Sequence, residues 1–275
     1  MVYQEIKLRK WIPLSKLNWC ELSYNPNAIE LLKTNFYKID WYMISYNTNG
    51  IQLLKENSNK IKWDLLSYNP NAIELLKTNP EKIDWNFLSF NPNAIELLKE
   101  YFEKINWNYL SSNKNAIELL KENFEKINWT FLSENENAIE ILKANPEKIN
   151  WKYLSYNLSA INLLKTNLHK IDWDNLSSNP NAIELLKENP EKINWRYLSC
   201  NPNAIELLKE NPEKIHWYKM SLNPSIFTYD YELIHERFKN LGEEIIQKAL
   251  HPKRMLRLMN EYGEDEIYKC YFDED

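Results

Sequence analysis

The chain has 275 residues, 44% hydrophobic and 27% charged, with a net charge of −5 and with acidic and basic residues interleaved. These proportions supply a large core, but no apolar run approaches the roughly 20 residues that span a bilayer, and no basic stripe suited to phosphates is visible. Cys20, Cys200 and Cys270 are odd in number, far apart and without CxxC spacing, which argues against a disulfide framework or zinc site and for a reducing compartment.

Residues 1–18 form an irregular lead-in, read as an N-terminal cap, without the apolar h-region of a secretory leader. Within it, Leu14-Ser15-Lys16-Leu17-Asn18 imitates fragments of the repeat that begins at Trp19. From Trp19 to Trp217 a tryptophan stands every 22 residues, ten in all, without one insertion or deletion. A fixed period of this size marks stacked units that each bury their apolar face only against their neighbours. Residues 19–223 are therefore read as an all-α solenoid of about ten 22-residue helix-turn-helix repeats. The consensus is W-x-x-L-S-x-N-P-N-A-I-E-L-L-K-x-N-P-E-K-I-[DN].

One copy carries the helix signals. Asn91-Pro92 is an N-cap followed by proline at the first helical position. Ala94, Ile95, Leu97 and Leu98 then share one arc of the wheel, opposite Glu96, Lys99 and Glu100, which gives a first helix of about two and a half turns. Phe90 and Ile95 have the spacing of a hydrophobic staple. A second helix, here called helix B, is expected over Trp85 to Phe90 with Asp84 as its cap, in preference to a start at Asn79. Aspartate or asparagine precedes the tryptophan in eight of ten copies, with Lys62 and His216 the exceptions. In the triplet NAI the alanine becomes glycine at Gly50, suggesting close approach of the next layer, and isoleucine at Ile226, where no further layer is expected.

Residues 224–275 abandon the period and read as a packed C-terminal helical cap. Helices are expected over 231–240, 243–250 and 252–262, with Gly263 as C-cap and Asp273-Glu274-Asp275 as a frayed tail.

NPNAIELLKENPEKINWxxLSxNPNAI resembles the tandem repeat of a protein family of giant DNA viruses, mimivirus relatives especially, and EEIIQKALHPKRMLRLMNEYGED is similar to the HP-x-R-containing tail of that family. The resemblance runs from about Trp19 to Asp265. It implies a viral repeat protein of the host cytoplasm or the virion, and brings no catalytic residues.

The tryptophans, as at Trp85, Trp107 and Trp129, are read as core rather than as a stacking platform. Ser89, Ser111 and Ser133, with Asn91, Asn113 and Asn135, are read as ladders that cap helices and bond the adjacent layer's backbone. The four histidines lack metal-ligand spacing, and no phosphate loop or nucleophile motif is present, so neither metal, cofactor nor enzymatic activity is expected. Lys248, Lys253, Arg254 and Arg257 form a candidate basic patch on the C-terminal helices.

The unfixed letters are the candidate partner-binding residues. The row after the tryptophan runs Tyr42, Asp64, Asn86, Asn108, Thr130, Lys152, Asp174, Arg196, Tyr218, and on helix B it points away from the tryptophan. Beside it lies an aromatic stripe, Phe87, Tyr109, Phe131, Tyr153 and Tyr197. Ten stacked layers would present a face on the order of 90 Å long. The expected function is a non-enzymatic scaffold binding a host or viral protein along helix B. A structural component of a virion or viral factory is the alternative, and RNA binding, disfavoured by the acidic balance, the third.

Overall fold

The computed structural model describes residues 6–263. It is an all-α repeat array in which each 22-residue unit folds alike. Helix B begins at the tryptophan in all ten copies, as at Trp85–Phe90. Its cap is the preceding residue: Asp84 Oδ1 accepts from Phe87 N–H at 3.0 Å. At the histidine exception the ring does the same, His216 Nδ1 accepting from Lys219 N–H at 3.3 Å, while Lys62 provides no side-chain cap. Pro80–Lys82 is a single 3-10 turn, so the later start of helix B holds. The first helix is shorter than two and a half turns. Asn69 Oδ1 bonds Asn71 N–H and Pro70–Ala72 forms a 3-10 turn, so the α-helix begins only at Ile73. A side-chain cap that reaches two residues on favours this tighter turn.

The core is one leucine-alanine-leucine set in eight of the ten repeats. Leu88, Ala94 and Leu98 have no exposed surface, and neither do their equivalents Leu110, Ala116 and Leu120. Burying one such leucine stabilises by about 1.5–3 kcal/mol.

Two ladders tie each repeat to the one before it. Each serine Oγ donates to the tryptophan carbonyl four residues back at 2.7–2.9 Å, and accepts the N–H of the next repeat's cap residue at 2.8–3.2 Å. Each ladder asparagine uses Nδ2 to bridge two carbonyls of the preceding repeat at 2.7–3.2 Å. These serines and asparagines are buried, and a buried polar group that meets its partners in every layer specifies register.

The ladders have no end. Asn18 N–H donates to Ser221 Oγ at 2.8 Å, and Asn25 Nδ2 bridges the carbonyls of Ser221 and Asn223, both at 3.0 Å. Asn27 Nδ2 reaches the Pro224 carbonyl at 3.0 Å, as Asn93 reaches Pro70 at 2.9 Å. The tenth repeat thus meets the first as the first meets the second, and residues 8–227 close into a ring. The expected open stack, with its face on the order of 90 Å long, is corrected accordingly. At about 9 Å between packed helices, ten steps describe a circle about 30 Å across. Successive helices B pack side by side, whereas the first helices touch mainly their own repeat. Helix B therefore forms the inner wall, where the circumference is shorter.

The seam explains the lead-in. The tenth copy stops after Asn223-Pro224-Ser225-Ile226, without a first helix of its own. Residues 8–17 complete that layer. Arg9 N–H and Nε bond the carbonyls of Ile226 and Ser225, and Ile12 and Leu17 are buried. The Leu14–Lys16 turn stands where Pro-Glu-Lys stands elsewhere, so the lead-in is half a repeat rather than a cap. Ile226 is fully buried at this closing layer, not freed by the lack of one.

Gly50 also has a local reason. An added Cβ would meet the Ile44 carbonyl oxygen at 2.7 Å and Ile44 Cγ1 at 3.2 Å, both in its own repeat rather than in the next layer. Of the first nine copies, only this one replaces the core leucine by isoleucine, whose Cγ1 adds to the crowding from the Ile44 and Asn47 carbonyl oxygens. Gly50→Ala is expected to cost about 1–3 kcal/mol in denaturant unfolding as an overpacked site. Ile44→Leu with Gly50→Ala restores the pair of the neighbouring copies and should recover the part of that loss that the isoleucine side chain causes. A double variant as unstable as the single one would sink this account.

Residues 228–263 belong to a second unit, which also includes Lys7. Ile6–Leu8 and Phe227–Tyr229 pair as a two-stranded sheet. Lys7 Nζ lies 2.7 Å from Asp230 and 3.1 Å from Glu232. Tyr231–Ala249 is one helix of 19 residues, running through the break expected between 240 and 243, because Gly242 keeps helical geometry. None of those 19 residues is buried. Pro252–Tyr262 comes next as expected, and Gly263 ends it at φ 96°. The acidic tail 273–275 lies outside the described residues.

Candidate functional site

Equivalent positions on helices packed side by side around a ring lie on one circle. The row after the tryptophan is such a circle. Tyr42, Asp64, Asn86, Asn108, Lys152, Asp174, Arg196 and Tyr218 are exposed, and Thr130 is half-buried. The row is more structured than sequence implies, because the next repeat's cap residue reaches back to it. Asn106 Nδ2 donates to Asn86 at 2.6 Å, Asn128 to Asn108 at 2.9 Å, and Asn194 to Asp174 at 2.8 Å. Lys62 Nζ sits 4.6 Å from the centre of the Tyr42 ring.

The aromatic stripe lies on the inner wall. Phe87, Tyr109, Phe131, Tyr153 and Tyr197 are half-buried, and Tyr109, Phe131 and Tyr153 succeed one another at 5.9 Å between ring centres.

The tryptophans are not core. All ten are half-buried, and over seven of them lies the lysine three residues before the next tryptophan. Lys126 is 4.4 Å from the Trp107 ring centre, Lys148 4.3 Å from Trp129, and Lys16 4.8 Å from Trp217 across the seam. Trp85 instead carries Tyr101 at 4.9 Å. Cation–π contact keeps one indole face occupied while leaving its edge in water. The reading of these rings as buried core is corrected to a lysine-covered outer layer.

A feature not anticipated is the row between the ladder serine and asparagine. Phe90, read as a staple residue, belongs to it and turns to the ring's centre. There a cavity of about 510 Å³ is lined from seven consecutive repeats, those of Tyr24 through Tyr156. Tyr24, Tyr46, Tyr68 and Phe90 form a continuous aromatic run at 6.1, 5.5 and 5.0 Å between centres. Glu134 lines the same cavity, and its Oε1 accepts from Ser112 Oγ at 2.6 Å. Lys114 and Glu136, also at the cavity, pair at 3.0 Å. Burial pushes the Glu134 carboxyl above the usual carboxylate range, against the opposing effect of the Ser112 hydrogen bond. Burial likewise raises Tyr24, Tyr68 and Tyr156, with the charge of Glu134 adding to the last two. A sequence signal did exist: this position varies among Tyr, Phe, Ser, Glu, Cys and Leu while its neighbours stay fixed.

The candidate basic patch divides between two helices. Lys248 lies on Tyr231–Ala249 and pairs with Glu244 at 3.2 Å, while exposed Lys253, Arg254 and Arg257 lie on Pro252–Tyr262. Cys20 and Cys200 are free thiols. Burial and Asp40 push Cys20 up to about 11, so it is not an activated nucleophile. Among the described residues no three His, Cys, Asp or Glu side chains gather as a metal site, and no helix is long and apolar enough to cross a membrane.

The architecture is thus a closed ring of ten helical repeats. No protein-family model, curated protein or solved structure matches the chain.

Proposed function

We propose that the protein is a non-enzymatic binding ring that docks a protein partner on the circle of residues following the tryptophans. One observation carries the reading. Eight exposed side chains of different chemistry stand at equivalent places in a framework that otherwise repeats. Fixed scaffold beside one varied, exposed row is how repeat proteins present a binding surface. Closure changes the shape of partner that fits, because a circle of side chains carried on helix axes about 30 Å apart across the ring matches the face of a compact domain rather than the length of a long rod. The preset bonds from Asn106, Asn128 and Asn194 hold Asn86, Asn108 and Asp174 in place, which lowers the ordering cost of docking.

The test is site-specific photocrosslinking of the full chain in lysate. A photoreactive residue at Asn108 or Asp174 is expected to capture the same partner. One at Glu118, exposed on a first helix and paired with Lys121, is expected to capture nothing specific. Equal capture from Glu118, or none from either circle position, would remove the circle as the docking face.

A further inference from the structure

The central cavity has a chemistry that the docking circle does not use. Glu134 is the only charged member of its row, which otherwise runs through tyrosine, phenylalanine, serine, cysteine and leucine. Its carboxylate is half-buried and, among the described residues, pairs with no cation: the nearby Lys114 ammonium is engaged by Glu136 at 3.0 Å. Ser112 satisfies one oxygen at 2.6 Å, and among the described residues no donor to the other is present. A carboxylate withdrawn from water without a counter-charge is costly and calls for a cation. The rest of the wall offers aromatic rings, from Tyr24, Tyr68, Phe90 and Tyr156. Their π faces are the protein surface that attracts an alkylated ammonium, which is too weakly hydrated to stay in water as an inorganic ion would.

We propose that the central cavity binds a small organic cation, an alkylated ammonium with an apolar body, its charge at Glu134 and its body against Tyr24, Tyr68, Phe90 and Tyr156. Other ligand classes fit less well. An anion meets Glu134 and Glu136 with one lysine already paired. A neutral apolar molecule leaves the Glu134 carboxylate desolvated and alone. Among the described residues a metal ion finds no group of three ligating side chains. The cavity's volume of about 510 Å³ lies within the range typical of small-molecule sites. This site is separate from the docking circle, so either can fail without the other.

The experiment is calorimetric titration of the full chain with benzyltrimethylammonium, benzyl alcohol and benzoate, with Glu134→Gln, Tyr68→Leu and Glu118→Gln as variants. The cation is expected to bind saturably at one per ring, at least tenfold more tightly than the alcohol or the benzoate. Glu134→Gln should weaken it at least tenfold and Tyr68→Leu by a smaller factor, while Glu118→Gln on the outer helix leaves it unchanged. Glu134→Gln removes an unpaired carboxylate from a half-buried site, so it should melt no lower than the parent, and lost binding then reports the site rather than the fold. No saturable cation binding, equal affinity for benzyl alcohol, or an unchanged affinity in Glu134→Gln would each overturn the assignment.

Discussion

Asn25→Ala is expected to destabilise the protein as much as Asn113→Ala, by roughly 3–5 kcal/mol. Each asparagine serves three backbone groups: two carbonyls of the preceding repeat and an N–H of its own turn. Truncation leaves all three without that partner in a buried layer, at about 1–3 kcal/mol per group when water cannot replace it. For a domain of this size the loss lowers Tm by roughly 10 °C. The comparison discriminates because Asn25 belongs to the first copy. In an open array it would have no preceding repeat, and its truncation would cost only a turn bond, about 1 kcal/mol. Urea unfolding of the two variants beside the parent decides the matter. A small Asn25→Ala effect beside a large Asn113→Ala effect would mean that the array is open.

The second expectation is a reversal of distances. Spin labels at Glu30 and Glu206, on the first helices of the first and ninth repeats, are expected to lie closer together than labels at Glu30 and Glu140. Around ten equal steps, the first pair is two steps apart across the seam and the second is diametrically opposed. In an open stack the order inverts, with the first pair eight layers and roughly 70 Å apart. Pulsed dipolar measurement on the folded chain reads the order directly, and a longer Glu30–Glu206 distance would refute closure.

Why the ring escaped a reading of the letters is itself physical. Helices, caps and core faces arise from contacts within one repeat, and Asp84, Trp85, Leu88 and Ala94 display them in sequence. Closure depends on the angle between repeats, a small quantity set by how Asn91 and Ser89 seat on their neighbours, and no motif encodes a tenth of a turn. Two clues were nevertheless present. Asn25 and Ser221 keep the interface chemistry at the terminal copies, where open arrays replace it with polar capping surface. Leu14 to Asn18 and Asn223 to Ile226 are complementary halves of one repeat. The inner row was missed for a related reason: Phe90 has the spacing of a staple, and only a circle shows that Tyr24, Tyr68 and Glu134 face a common centre.

The missing ends have a consequence for a chain that is cut. A single nick in the exposed turn between Glu125 and Lys126 would divide the ring into two arcs that still meet at two places. At one, Asn135 grips the Ser111 carbonyl, and at the other, Asn25 grips that of Ser221. Once either junction forms, the other becomes an intramolecular encounter at an effective concentration of roughly millimolar. Two fragments of this protein are therefore partners for each other by construction, held by avidity where the halves of a linear array would share a single junction.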